Sequence, residues 1–129
     1  MSWTYYQKSG ELLRDGIPFS TGYAGRYTGK NNPDMQGVRD TGPLPCGVYR
    51  IGDAYDHPTL GPITMNLTPD AANEMFGRGD FRIHGDSKKD PGLASHGCMV
   101  QPRAARLQIA QLVKSGERLL EVKREREAA

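Results

Sequence analysis

Glycine and proline cut this sequence into short segments, and that division constrains the fold more than any other feature. The chain has 129 residues, of which 16 are glycine and 9 are proline. Short apolar runs separated by such residues are typical of short strands joined by many turns. We therefore predict a mainly β chain with one or two short helices. Its length is that of a single domain, residues 1–129, which can bury a core without metals or disulfides.

The two ends of the chain carry the clearest secondary-structure patterns. Residues 3–7 and 11–14 are predicted to form a hairpin around the turn Ser9-Gly10, with a second turn at Asp15-Gly16. Near the other end, Pro102 is predicted to open a helix. The apolar residues of that helix recur at helical spacing and are Ala105, Ile109, Leu112 and Val113.

The middle of the chain is less regular. Further strands are predicted over residues 48–51, 63–67, 81–84 and 119–122. A short helix is predicted over residues 71–76, because Thr68-Pro69-Asp70 has the form of a helix start. Residues 20–47 are predicted to be irregular, and a loop of that length in a small domain is usually functional or disordered.

Composition excludes several functional classes. The formal net charge is only +2, which gives no electrostatic case for binding nucleic acid. No run of about 18 apolar residues exists, so no membrane span is expected. The first ten residues contain no apolar signal core, so we expect a chain made in the cytoplasm without a signal peptide. The two cysteines, Cys46 and Cys98, are too few for a disulfide scaffold.

Residues 81–100, FRIHGDSKKDPGLASHGCMV, carry the candidate chemistry. Cys98 lies in Ser95-His96-Gly97-Cys98, and His84 ends a predicted strand fourteen residues upstream. A thiol becomes a strong nucleophile when a base such as histidine removes its proton. The backbone N–H groups of Gly97 and Cys98 are candidates for an oxyanion hole.

Other interpretations of these residues stay open on sequence grounds. A free cysteine is most often a small buried hydrophobic residue, and a single histidine is most often a structural hydrogen-bonding group. Zinc is a second alternative, with His84, Asp86, His96 and Cys98 as ligands, although the His96-x-Cys98 spacing is unlike that of a zinc finger. Cys46 lies between Pro45 and Gly47 and is interpreted as incidental.

Three separated motifs resemble those of a known enzyme superfamily. Ser95-His96-Gly97-Cys98, with His84-Gly85 upstream, resembles the signature of the L,D-transpeptidases, the YkuD-like cysteine enzymes of peptidoglycan. The segment GPLPCGVYRI, residues 42–51, together with GKNNP, residues 29–33, resembles the type VI-secreted L,D-transpeptidase effectors. The resemblance extends from about Gly22 to Val122, with the motifs in the order found in the family.

The resemblance implies an L,D-transpeptidase-like β-sandwich or barrel and a cysteine-dependent reaction that needs no cofactor. Cys98 would be the nucleophile and His84 the general base, with His96 supporting the thiolate. The substrate would be the bond between diaminopimelate and D-Ala in a peptidoglycan tetrapeptide stem. The acyl-enzyme would then pass to water, to the amine of a second stem, or to a free D-amino acid.

Several further residues are candidates for holding the substrate. Arg82 shares a predicted strand face with His84. The others are Ser95, Asp86, Arg103 and Tyr23. Asp86 or a backbone carbonyl would orient His84. Only ten residues, 85–94, separate His84 from Ser95, which is fewer than in the housekeeping enzymes and favours the effector branch. The Gly/Pro-rich residues 22–47 are expected beside the cleft.

The resemblance also implies a biological setting. The chain would be an antibacterial toxin, secreted to act in the periplasm of a target bacterium. A cognate immunity protein and a secretion-system component would be its partners besides the peptidoglycan stems. Two alternatives are a catalytically idle peptidoglycan-binding module of the same fold and a zinc-dependent hydrolase using His84, His96 and Cys98.

Overall fold

In the computed structural model, which describes residues 2–127, those residues form ten strands and one α-helix. The strands are β1 (Ser2–Tyr6), β2 (Glu11–Arg14), β3 (Ile17–Thr21), β4 (Tyr23–Ala24), β5 (Gly47–Ile51), β6 (Tyr55–His57), β7 (Gly61–Pro69), β8 (Arg82–His84), β9 (Met99–Val100) and β10 (Leu119–Lys123). Helix α1 spans Arg103–Lys114, and 3₁₀ turns lie at Tyr27–Gly29 and Pro33–Met35. The predicted mainly β fold is confirmed. The ends of the predicted domain, residue 1 and residues 128–129, lie outside the described residues.

A single mixed sheet contains all ten of these strands. Its order is β3-β2-β1-β10-β5-β7-β8-β9-β4, with β6 paired to β7. Two neighbouring pairs are parallel, namely β1 with β10 and β8 with β9. The β1–β10 pair joins the two ends of the described chain, and the β8–β9 pair brings the segments around residues 84 and 98 side by side.

The core is built from alternating residues of the strands and one stripe of the helix. On β1, Trp3 and Tyr5 are fully buried, as expected from the two-residue period of a strand. Trp3 packs edge-on against Phe19, with ring centroids 5.0 Å apart, and its indole N–H donates to the Glu117 carbonyl at 2.8 Å. Ile109 and Val113 of α1 are fully buried on the same core. The predicted hairpin, helix α1 and last strand are therefore confirmed.

The helix predicted over residues 71–76 is wrong, since this segment forms turns. The Asp70 carboxylate accepts the Ala72 N–H at 2.9 Å, which makes a local turn in place of a helical start. The Asn73 amide is committed to β5, where it accepts from the Val48 N–H at 3.0 Å and donates to the Val48 carbonyl at 2.8 Å. Phe76 then adopts a φ of 56°, which is incompatible with a continuing right-handed helix.

Residues 20–47 are largely irregular, as predicted. They contain the end of β3, the short strand β4 and the two 3₁₀ turns. Among residues 2–127, no helix combines the length and apolar character needed to cross a membrane.

Candidate active site

The parallel pair β8–β9 places His84 and Cys98 on the same side of the sheet. In this pair Ile83 lies opposite Met99, and His84 lies opposite Val100. Extending that register by one residue puts Cys98 opposite Arg82. Because alternate residues of a strand share a face, Cys98, Arg82 and His84 project to the same side. The register thus brings two distant motifs together.

A cleft of about 360 Å³ opens at this point of the sheet. Four of the predicted site residues line it, namely His84, His96, Cys98 and Arg82. The other lining residues are Arg39, Asp40, Leu60, Arg78, Gly79, Asp80, Phe81 and Ala94. The cleft therefore combines a thiol, two imidazoles, three guanidinium groups and two carboxylates.

The His84 side chain is buried and has a defined tautomer. Its Nδ1 lies 2.8 Å from the Gly85 carbonyl oxygen. A carbonyl only accepts hydrogen bonds, so Nδ1 carries the proton and Nε2 is the basic nitrogen. Burial lowers the pKa of His84, which keeps the ring neutral near pH 7. Of the two orienting groups predicted from the sequence, the structure uses the backbone carbonyl, whereas Asp86 bonds elsewhere.

Cys98 is a free, partly exposed thiol whose Sγ lies 3.7 Å from the Asp80 carbonyl oxygen. Burial raises the pKa of this thiol, against the opposing effects of the Arg82 backbone and the positive charges of Arg82 and Arg78. Burial thus favours the uncharged form of both Cys98 and His84. The resting pair is a thiol and a neutral imidazole, and proton transfer would accompany nucleophilic attack.

Ser95 shapes the loop that carries Cys98, and it is fully buried. Its Oγ accepts from the Gly25 N–H at 2.9 Å and from the Gly97 N–H at 3.0 Å, and donates to the Cys98 carbonyl at 2.6 Å. The structure thus places Ser95, predicted as a substrate-binding residue, inside the loop, where its hydroxyl holds three backbone groups. The Gly97 N–H donates to this hydroxyl and is not free to bind an oxyanion. Of the two N–H groups predicted for an oxyanion hole, that of Cys98 therefore remains the candidate.

Gly97 is required by the close approach of its neighbours. Its φ is 140°, and a Cβ at this position would lie 2.5 Å from Arg78 Nη2 and 2.8 Å from Phe81 Cε1. Its carbonyl accepts from the Leu44 N–H at 2.8 Å, which ties the cysteine loop to the GPLP segment. The role of Gly97 is thus to allow tight packing of the loop.

Arg78 is the main residue that sequence reasoning missed. Its guanidinium donates to four carbonyl oxygens, those of Gln36, Gly42, Pro43 and His96, and lies 5.1 Å from the centroid of the Phe81 ring. It joins the Gly/Pro-rich loop to the cysteine loop and lines the cleft. The one available signal was its position between two glycines just before β8.

Three predicted substrate-binding residues do not line this cleft. Tyr23, Asp86 and Arg103 line a second cavity, next to the N-terminus of α1. The Tyr23 hydroxyl donates to Asp86 at 2.6 Å, and Asp86 also accepts from the Gly92 N–H at 3.1 Å. Tyr23 and Asp86 organise the 85–94 loop, and none of the three residues lines the Cys98 cleft.

Two further expectations from the sequence concern Cys46, interpreted as incidental, and the alternative of a zinc site. Cys46 is a free thiol whose Sγ lies 3.4 Å from the Gln7 side-chain oxygen, and it is not a lining residue of the cleft. Within the described part of the chain, no group of three or more His, Cys, Asp or Glu side chains is close enough to hold a metal ion.

Comparison with known proteins adds one finding to this geometry. A family model described as the Tlde1 domain matches residues 19–125. The matched region contains every motif on which the sequence resemblance rests. No curated protein gives a significant match to the chain.

Proposed function

Since the chain belongs to the Tlde1 domain family of type VI L,D-transpeptidase effectors, we propose that it is a cysteine-dependent L,D-carboxypeptidase and L,D-transpeptidase. Its substrate would be the tetrapeptide stem of peptidoglycan. The observation that carries the proposal is the placement of Cys98 and His84 on one face of a cleft by the β8–β9 pair.

The first half of the reaction forms an acyl-enzyme. His84 Nε2 accepts the Cys98 proton as Sγ attacks the carbonyl carbon of the diaminopimelate–D-Ala bond. The carbonyl oxygen becomes an oxyanion, toward which the Cys98 N–H would donate. When the intermediate collapses, the C–N bond breaks and His84 returns its proton to the amine of D-Ala. The products are a thioester on Cys98 and free D-Ala.

The second half of the reaction regenerates the thiol. His84 Nε2 takes a proton from water or from an incoming amine, which attacks the thioester carbon. The S–C bond breaks, and the proton returns to Sγ. Water gives a tripeptide stem, the amine of a second stem gives a 3–3 cross-link, and a free D-amino acid gives exchange. No cofactor enters any of these steps.

Arg82 is the best-placed residue to hold the terminal carboxylate of the stem. Its Nε donates to the Tyr55 hydroxyl at 3.2 Å and to Asn66 Oδ1 at 3.1 Å, which fixes the guanidinium at the wall of the cleft. A fixed guanidinium recognises a carboxylate with little further loss of side-chain freedom. Arg82→Gln would accordingly raise KM more than it lowers kcat.

The test uses purified disaccharide-tetrapeptide and mass spectrometry of the products. The wild type is expected to release D-Ala, and Cys98→Ala is expected to release none. Cys46→Ala is the matched control, because it removes the other thiol of the chain outside the cleft, and it should retain activity. Equal release of D-Ala by the wild type and Cys98→Ala would overturn the mechanism.

One observation favours the alternative of a catalytically idle peptidoglycan-binding module. Burial raises the pKa of the Cys98 thiol, and a protonated thiol is a poor nucleophile unless a base assists it. No D-Ala release by the wild type, together with retention of the protein on purified sacculi, would favour that module.

The proposed biological role is that of an antibacterial toxin acting in the periplasm of a target bacterium. Its producer would need a cognate immunity protein, which we expect to block the Cys98 cleft, and a secretion-system component would carry the chain. Expression directed to the periplasm tests this role. The wild type should arrest growth or lyse the cells, and Cys98→Ala should not.

A further inference from the structure

The second cavity shares no lining residue with the Cys98 cleft. It has a volume of about 360 Å³ and is bordered by β4, by Asp86 and by the start of α1. Nothing in the proposed reaction uses this cavity. Its lining nevertheless contains three groups that can donate hydrogen bonds from the same region, namely Gln101, Arg103 and Arg106.

The Gln101 side chain carries a buried donor without an acceptor. The residue is only 1% exposed, and its Nε2 has no hydrogen-bond partner among residues 2–127. Its Oε1 accepts from the Ser20 hydroxyl at 2.5 Å, so the side chain is held with Nε2 pointing away from Ser20. Nε2 lies beside Gly22, another lining residue, where a Cβ would approach it to 2.9 Å. A buried amide N–H without a partner is destabilising, and an acceptor in the cavity would satisfy it.

The N-terminus of α1 adds positive potential to the same cavity. Its N-cap residue is Pro102, which supplies no side-chain cap, and the first turn contains no acidic residue. The N-terminal end of a helix attracts anions. The first turns instead carry Arg103, which is exposed, and Arg106, which is buried.

The two arginines repel each other in this arrangement. Burial lowers the pKa of Arg106, and the charge of Arg103 lowers it further. Arg106 Nε donates to the Gln101 carbonyl at 2.9 Å and Nη1 to the Pro62 carbonyl at 2.8 Å, so neutral oxygens are its partners. No salt bridge of the described residues includes either arginine. An anion in the cavity would relieve this repulsion.

We propose that the cavity at the start of α1 binds the carboxylate of an amino acid or of a peptide C-terminus, through Gln101 Nε2, Arg103 and Arg106. Asp86 also lines the cavity, so the charged lining residues sum to a single positive unit, which suits a monocarboxylate better than a phosphate dianion. Asp86 is also positioned to attract an ammonium group, as a free amino acid carries beside its carboxylate.

Two residues of the proposed site, Gln101 and Arg106, contact the backbone of His84 and Gly85. The Gln101 N–H donates to the His84 carbonyl at 3.0 Å. Arg106 packs against Gly85, whose carbonyl holds His84 Nδ1, and a Cβ on Gly85 would lie 2.6 Å from Arg106 Nη2. Binding should therefore shift the backbone amide resonances of Gly85 and Gln101.

The experiment is a titration followed by amide ¹⁵N–¹H chemical shifts, in the Cys98→Ala background so that no reaction occurs. The probes are D-alanine and Nα-acetyl-D-alanine, with D-alaninamide as the probe lacking a carboxylate. Both carboxylates should shift the amides of Gly22, Gly85, Gln101 and Arg103, and D-alaninamide should not. Tighter binding of D-alanine would identify a free amino acid, and tighter binding of the acetyl compound a peptide C-terminus.

Two variants locate the site and one controls for charge. Arg103→Glu and Gln101→Met should each weaken carboxylate binding by about tenfold or more, because each removes a hydrogen bond to a charged group. Lys114→Glu makes the same change of charge at the far end of α1 and should bind as the parent does. Because Arg103 is exposed, Arg103→Glu should fold normally, and it still tests the proposal if Gln101→Met unfolds.

The proposal is overturned if neither carboxylate shifts these amides, if D-alaninamide binds as well, or if Arg103→Glu binds as tightly as its parent. Because binding is measured without the nucleophile, this result is independent of whether Cys98 performs the proposed reaction. The choice of alanine as the probe rests on the proposed function. The inference of a carboxylate site does not, because it is argued from Gln101, Arg103 and Arg106 alone.

Discussion

The hairpin side of the sheet and the cysteine side are held together by different forces. On the hairpin side, formed by β1, β2, β3 and β10, apolar side chains of β1, β2 and β10 are buried in the core. On the cysteine side, residues 36–44, 78 and 95–98, single polar side chains bind several backbone groups each. Apolar burial is spread over many contacts. A polar clamp, by which we mean one side chain that holds several backbone groups, as Arg78 and Ser95 do, depends on a single residue. Substitutions should therefore cost mainly stability on the first side and mainly activity on the second.

The largest expected effect is on the hairpin side, at Trp3. Trp3→Ala removes a fully buried ring, its edge-on contact with Phe19 and its hydrogen bond to Glu117. We expect the free energy of unfolding to fall by about 3–5 kcal/mol. Chemical denaturation measures this loss. Specific activity per folded molecule should stay close to that of the wild type.

Ile17→Ala is the control for Trp3→Ala, because Ile17 lies on the same sheet but is 69% exposed. Its substitution should change the free energy of unfolding by less than about 0.5 kcal/mol. If Trp3→Ala instead destroyed the activity of molecules that remain folded, stability and activity could not be assigned to different sides of the sheet.

The next effect tests the cysteine side at Arg78. Arg78→Ala leaves four carbonyl oxygens without their donor and releases the Gly/Pro-rich loop from the cysteine loop. We expect a loss of about 2–3 kcal/mol in stability. Activity in the D-Ala release assay should fall by more than about tenfold even where the protein is fully folded, since a displaced Cys98 would no longer meet the proposed base, His84.

Arg78→Lys separates the charge of Arg78 from its geometry. Lysine keeps the positive charge beside Cys98 but cannot present a planar fork of donors to four carbonyls. We expect Arg78→Lys to resemble Arg78→Ala in activity. Recovery of full activity would mean that the charge alone matters and that the clamp is not the organising feature of this side.

This difference between the two sides also explains what the sequence could predict. The alternation of Trp3 and Tyr5 and the helical spacing of Ile109 and Val113 are periodic, and periodicity predicts burial directly. The motifs predicted Cys98 and His84 as members of one site, and both residues line the same cleft. Arg78 has no such signal, because which carbonyls it reaches depends on how three distant loops fold over one another.

The wrong predictions share that cause. The segment 71–76 satisfies the local rules for a helix, but Asn73 bonds to Val48 in β5, a contact that only the tertiary fold supplies. Ser95 belongs to the Ser95-His96-Gly97-Cys98 motif, yet its hydroxyl bonds to the backbone of Gly25, Gly97 and Cys98. His84 and Asp86 are two positions apart in the sequence, yet they line different cavities.

Ser95 allows a finer test of the polar clamps. Ser95→Ala leaves two N–H groups and one carbonyl without their shared partner, and we expect a loss of about 1–3 kcal/mol. Because the same hydroxyl shapes the Cys98 loop, kcat should fall with it. Ser87→Ala is the matched control, since the Ser87 hydroxyl accepts one exposed bond, from the Asp90 N–H at 2.9 Å. Equal effects of the two variants on kcat would contradict the assigned role of Ser95.

The smallest expected effect is a pH dependence contributed by the buried base on the cysteine side. Burial lowers the pKa of His84 in the folded state below its unfolded value of about 6.5. Below that pH the unfolded chain binds a proton that the folded chain does not, so stability falls as pH drops from about 6.5 toward the lowered pKa. The slope from one such group is at most about 1.4 kcal/mol per pH unit. Denaturation curves between pH 6.5 and 5 measure it, and His84→Gln should flatten them. An unchanged slope in His84→Gln would place the acid sensitivity elsewhere and would leave polar clamping, without a buried base, as the distinguishing property of the cysteine side.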